Sequence, residues 1–219
     1  MNGSFAIGWR QVAISFLLLA ATGMIASTYS IIAVPLAAEF RPSRMVLMLS
    51  MTVLSGACAV LSPLLGNLMD KVRLRLLMVA GGLCLAVGYA ALSFATSFHQ
   101  VLGIFGVLIA PANVLIGPVA VTVLLTRWFA AKRGRAIGIA IAGISAGGFV
   151  FPMIIQGLLD AHQWREALRL LAMVLAVWTV PAALLVVDRP AERGLNPDGA
   201  AEPPVQTRAE LSQAPISVG

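Results

Sequence analysis

The sequence predicts an all-α integral membrane protein with six transmembrane helices. Three observations carry that reading: long stretches without charge, basic residues gathered in the short segments between them, and too few charged residues to dress a water-facing surface. Of 219 residues 11% are charged and 59% hydrophobic, with a mean hydropathy of +0.93, whereas a soluble domain carries about 25% charged residues. No Asp, Glu, Lys or Arg occurs in 11–38, 45–69, 76–126, 136–159 or 170–187. A bilayer core takes roughly 20 apolar residues per helix. Four of these stretches fit one span each, and 76–126 fits two, divided at Ser97-Phe98-His99-Gln100.

In chain order, residues 1–10 form a short N-terminal segment and the spans fall at about 12–37, 45–68, 76–96, 101–126, 136–159 and 168–187. The first span is read as a retained helix. A secretory signal has an apolar region of about 7–15 residues, and this one runs from Val12 to Ala38. Pro35, Pro63, Pro118 and Pro152 are expected to kink helices 1, 2, 4 and 5. Residues 188–219, rich in Pro, Ala and charge and without a span-length apolar run, read as a disordered cytoplasmic tail.

Orientation follows from the basic residues in short loops. Arg10, the 2–3 loop (Lys71, Arg73, Arg75), the 4–5 loop (Arg127, Lys132, Arg133, Arg135) and the tail (Arg189, Arg193, Arg208) lie on one side. The other side holds Arg41, Arg44, Arg165 and Arg169. The richer side is expected to be cytoplasmic, with both termini inside. Alanine- and arginine-leaning composition fits a cell (inner) membrane. The net charge of +6 resides at helix ends, where anchoring and topology account for it, so no nucleic-acid partner is expected.

No enzymatic or metal chemistry is legible. Cys58 and Cys84 fall inside spans without a His or carboxylate at their depth, so they read as packing residues and no metal site is expected. Gly143-Ile144-Ser145-Ala146-Gly147 has the letters of a nucleophile elbow, but that motif needs a strand-to-helix turn and here lies mid-helix. His99 and His162 sit in loops, leaving the serine no activating base. Catalysis is excluded, and no cofactor is implied.

Helices 2 and 5 resemble each other. Each opens after a basic residue (Arg44, Arg135), carries a Pro in its last third (Pro63, Pro152), then a Gly (Gly66, Gly157), and ends at an Asp (Asp70, Asp160). The charge rule puts Asp70 inside and Asp160 outside. Helices 1–3 and 4–6 are therefore expected to form a 3+3 inverted repeat, an arrangement found within each half of the major facilitator fold.

The loop after helix 2 resembles the signature of the major facilitator superfamily, G-x-L-x-D-[RK]-x-G-x-[RK]. It reads Gly66-Asn67-Leu68-Met69-Asp70-Lys71-Val72-Arg73-Leu74-Arg75, with Arg73 where the family has its second Gly. Physically, Gly66 permits close helix approach, Asp70 suits the positive end of a helix dipole, and Lys71 and Arg75 anchor the loop at headgroups. Arg127-Trp128-Phe129 followed by Lys132-Arg133-Gly134-Arg135 is similar to the monocarboxylate and oxalate/formate carrier branch. So are Trp164-Arg165, Arg189-Pro190 and Gly194-Leu195-Asn196-Pro197-Asp198-Gly199. The charged helix 1 motif of that branch is absent, since no Lys or acidic residue lies between Arg10 and Glu39.

The resemblance implies a secondary transporter working by alternating access in the lipid bilayer, moving a small solute of which an organic anion is the class the branch suggests. Such carriers have twelve helices in two halves with the substrate held between them. This chain, with six spans, is expected either to be the N-terminal half, pairing with a second six-helix half or another copy of itself, or to be a truncated, transport-inactive remnant or accessory membrane protein. In the superfamily helices 1 and 4 line the cavity, which makes Tyr29 and Asn113, with Ser145 of helix 5, the candidate substrate contacts. The pairs Gly134/Gly138 and Gly143/Gly147, four residues apart on one face, are expected to serve helix packing.

Overall fold

The computed structural model describes residues 3–193 and 195. All regular structure among them is helical. Six helices are long and apolar enough to cross a membrane: α1 (Gly3–Phe40), α2 (Arg44–Lys71), α3 (Leu74–Leu92), α4 (Phe98–Trp128), α5 (Arg133–Ala161) and α6 (Trp164–Leu184). At 1.5 Å per residue, the 38 residues of α1 extend about 57 Å, well beyond a hydrocarbon core of roughly 30 Å.

The helix ends have local causes. After α1 the chain turns at Arg41, whose φ of 45° is left-handed, and Ser43 caps α2 by accepting from the Val46 N–H at 3.3 Å. α3 stops at Leu92 rather than near 96. The carbonyls of Ser93 and Ala95 turn outward to accept from the guanidinium of Arg165, both at 2.9 Å. α4 is not one regular helix. Pro111 has no N–H and its ring crowds the carbonyl four residues earlier. The turn before it, Phe105–Ile109, widens to a π-helix, a usual accommodation of such strain. A second break follows where Gly117 is extended (φ −86°, ψ −163°) and Pro118 starts the last segment, Pro118–Trp128. Pro35, Pro63 and Pro152 lie inside continuous helices, and Pro181 does so near the end of α6.

Packing follows an inverted pairing. α1 lies along α5 and α4 along α2, so each triplet's first helix packs on the other triplet's second, while α3 and α6 pair with each other. The α1–α5 crossing is backbone against backbone. A Cβ at Gly143 would overlap the Phe16 carbonyl, one at Gly147 the Ala20 carbonyl, and one at Gly23 the Ile144 carbonyl. In lipid, where apolar burial hardly favours one helix neighbour over bulk tails, such close approach supplies the dispersion contact that holds helices together. At Gly82 an added Cβ would meet the Thr179 Oγ1 of α6 at 2.7 Å.

The core is unevenly enclosed. In the most apolar windows of α1 and α4, 56% of residues are buried, against 11% for α2 and 22% for α5. Large apolar side chains stand open on the surface, among them Phe149, Val107, Val177 and Met153. In water this would be an aggregation surface; in hydrocarbon it is solvated. The chain is a six-helix membrane bundle of the kind that forms one half of a major facilitator fold.

Candidate functional site

Tyr29 and Asn113, on the two most enclosed helices, both meet α2. Tyr29 is 4% exposed. Its hydroxyl donates to the Leu47 carbonyl of α2 and its ring stands edge-on to Phe105 of the π-turn, centroids 5.3 Å apart. With Tyr89, Ile32, Leu36 and Leu168 it lines a narrow internal gap. The α1 hydroxyl is thus spent on bracing α2, and the surroundings of the ring are apolar.

Asn113 has a different setting. It is half-buried on the short segment between the π-turn and the Gly117 break, so neither neighbouring turn is regular helix. Its Nδ2 donates to the Cys58 Sγ at 3.5 Å, and the thiol in turn donates to the Ala110 carbonyl at 3.6 Å. A thiol sulfur is a weak acceptor. The amide is therefore held in place without being strongly satisfied, at the middle of α4 and beside the least enclosed helix of the bundle.

Ser145 is exposed. It lies two residues from both Gly143 and Gly147, which face α1, so it sits on the opposite side of α5 and contacts neither Tyr29 nor Asn113. The two glycine pairs behave differently. Gly143 and Gly147 are pressed onto α1, whereas a Cβ at Gly134 or Gly138 would meet nothing within 4 Å. The packing role expected of Gly134 and Gly138 has no counterpart inside this bundle, because both stand on an exposed face of α5, away from the buried face of Ala136, Ala140, Gly143 and Gly147.

At the signature-loop end, Gly66 also has open space beside it. Asp70 reaches Arg127 of α4 at 3.9 Å, with the carboxylate side chain 77% exposed, and Arg127 Nη2 donates to the Met69 carbonyl at 3.0 Å. An exposed pair of that length contributes at most about 1 kcal/mol, so its place is geometric: it joins the end of α2 to the end of α4. Lys71 is the basic last residue of α2, favourable at a helix C-terminus. Arg75 contributes its backbone instead of its guanidinium. Its N–H donates to Asp188 Oδ1 at 2.7 Å.

Several partners in these ends were not singled out from sequence. Asp188, placed at the start of a disordered tail, is 6% exposed and docked on α3. The chain beyond it continues into a 3-10 turn at Pro190–Arg193. The remainder of that expected tail, apart from Leu195, lies outside the described residues. Trp128 Nε1 donates to the Val187 carbonyl at 2.8 Å, and the Val187 N–H donates to Gln11 Oε1 at 3.1 Å. At the opposite end Arg165 pairs with Glu39 at 2.6 Å while Trp164 Nε1 donates to the same carboxylate at 2.8 Å. A signal existed for each end: every one of these acids is the first charge met on leaving an apolar stretch. Among the described residues no group of three or more His, Cys, Asp or Glu side chains is arranged to hold a metal.

Residues 14–217 match the Major Facilitator Superfamily. The chain belongs to this superfamily. Related proteins include "MFS-type transporter pynF" of Aspergillus niger, 31% identical over 133 residues that cover 61% of this chain and 30% of that protein. "Fujikurins efflux protein" of Gibberella fujikuroi is 31% identical over 129 residues, 59% of this chain and 28% of its own length. "Monocarboxylate transporter 12-B" of Danio rerio is 30% identical over 128 residues, 58% of this chain and 26% of that transporter. The matched stretch is less than a third of each relative's length. Within the Major Facilitator Superfamily these relatives are named for membrane transport, and the six apolar helices make this member a multi-pass membrane protein.

Proposed function

We propose that the chain carries a small solute across the membrane by alternating access, as the N-terminal six-helix half of a secondary transporter. A small organic anion is the favoured solute class, in keeping with relatives named as monocarboxylate transporters. The observation that carries the reading is the Asn113 amide. It is half-buried at mid-membrane on an irregular segment of α4 and held only by a thiol, and a weakly satisfied amide in hydrocarbon is costly unless something polar visits it. Open faces on α2 and α5 fit docking against a second bundle, either a separate half or another copy. The described spans hold no Asp, Glu, Lys, Arg or His at the level of Asn113, so any charge that balances an anion comes from that second bundle. Both termini lie in the cytoplasm, by the distribution of basic residues.

The test is uptake of a labelled small monocarboxylate into proteoliposomes. This chain is reconstituted alone at rising density, and together with a second half. Flux in either preparation, lowered by Asn113→Leu at equal incorporation, supports the proposal. Absence of flux in both, across a panel of organic anions and neutral solutes, favours instead a transport-inactive remnant or accessory membrane protein.

A further inference from the structure

We propose that the signature-loop end of the bundle holds the headgroup of an anionic phospholipid, in a cleft between α1, α3 and α6. Two adjoining depressions meet there, of about 420 and 270 Å³, sharing Arg75, Leu184, Val186 and Val187. Arg73 lines the first and Arg10 the second. Three arginines, Arg10 of α1, Arg73 of the α2–α3 turn and Arg75 at the start of α3, therefore line one concavity. Among the described residues the only acid lining it is Asp188, and its Oδ1 is already engaged by the Arg75 N–H. The lining keeps a formal excess of positive charge, and an anion entering it meets the arginines while Asp188 faces the backbone.

The occupant follows from what lies beside the charges. Leu76, Leu184 and Leu185 are 59%, 45% and 50% exposed and line the same depressions as the arginines. A phosphate bearing acyl chains satisfies both parts at once, the headgroup among the arginines and the chains over the leucines. A free phosphate would satisfy only the first. Basic pockets between transmembrane helices at headgroup level are suited to this recognition, and planar guanidinium forks match phosphate geometry. Because Val187 and Asp188 tie α6 to Gln11 of α1 and Arg75 of α3, a lipid bound here would brace the three helices at one end. The inference requires the bundle to sit in lipid; it does not require the transport reading.

The test is native mass spectrometry of the full chain in detergent, titrated with phosphatidylglycerol or phosphatidylcholine, and with glycerol phosphate as the soluble headgroup. The expected result is retention of phosphatidylglycerol over phosphatidylcholine. It should weaken more than tenfold in Arg10→Gln/Arg73→Gln/Arg75→Gln, since each basic residue near an anionic lipid contributes about a fivefold factor. Lys132→Gln/Arg133→Gln/Arg135→Gln, which removes as many charges from the neighbouring loop, should retain the lipid. Should the first triple variant not purify as a folded species, Arg73→Gln alone carries the test, with a loss of about fivefold expected. Equal weakening by both triple variants would mean undirected surface charge and would overturn the site. Binding of glycerol phosphate as tight as that of the lipid would assign the cleft to a soluble phosphate and overturn the lipid.

Discussion

Asp188 accepts a hydrogen bond from the Arg75 N–H at 2.7 Å across 113 residues of sequence. This one contact fastens the end of α6 to the first turn of α3, where free N–H groups and the positive end of the helix dipole both favour a carboxylate. Asp188→Ala should therefore lower stability by about 0.5–2 kcal/mol, the range for losing a helix cap, with Asp188→Asn retaining much of it. Thermal unfolding in detergent, followed by circular dichroism, checks this. Equal unfolding temperatures for wild type and Asp188→Ala would show that the contact is idle.

The α1–α5 crossing gives a sharper contrast. Gly147→Leu places a side chain where the Ala20 carbonyl stands, and overpacking of this kind costs at least about 1–3 kcal/mol. Gly138→Ala, where an added Cβ meets nothing within 4 Å, should be neutral or gain up to about 1 kcal/mol from helix propensity. Detergent unfolding curves of the two variants should shift in opposite directions or differ by that margin.

Tyr29→Phe removes the donor to the Leu47 carbonyl while leaving the edge contact with Phe105 intact. Inter-helix hydrogen bonds in membranes average about 0.6 kcal/mol, so the expected loss is small. Transport, where it is measured, should fall less than for Asn113→Leu. The reverse order would move the solute contact from α4 to α1.

Asp70→Asn leaves Arg127 bonded to the Met69 carbonyl but removes the charge that links α2 to α4. With the pair this exposed, folding should change by less than about 1 kcal/mol. Flux through the assembled transporter should nevertheless fall, because we expect this signature loop to gate the movement of one bundle against the other. Unchanged flux at equal expression would detach the signature loop from gating.

Topology has its own check. Reporter fusions after Arg75 and at His162 should report opposite sides of the membrane, the first cytoplasmic. A cytoplasmic signal at His162 would invert the orientation drawn from the basic loops.

The spans and the family were legible because both are written in local pattern. Charge-free runs such as 136–159 and the loop Gly66–Arg75 need only near neighbours to be read. The candidate site was legible as residue types but not as geometry. Asn113 stands out as a polar residue in an apolar run, yet its partner Cys58 lies 55 residues away and the π-turn before it arises from Pro111 acting on the preceding backbone. Asp188 was read as the start of a tail because composition beyond it is polar and proline-rich; only its position under α3 shows that it belongs to the bundle. The glycines make the same point. Gly134/Gly138 and Gly143/Gly147 share one spacing, and what separates them is the offset between the pairs, which turns only the second onto the face against α1.

The most direct test of the central claim, that Asn113 borders a cavity reached by solute, uses the native thiol beside it. In a Cys84→Ala background, Cys58 in the assembled membrane protein should react with a membrane-impermeant thiol reagent, and the transported anion should slow that reaction. A Cys58 that stays inert from both sides of the membrane while solute flux proceeds would contradict the account.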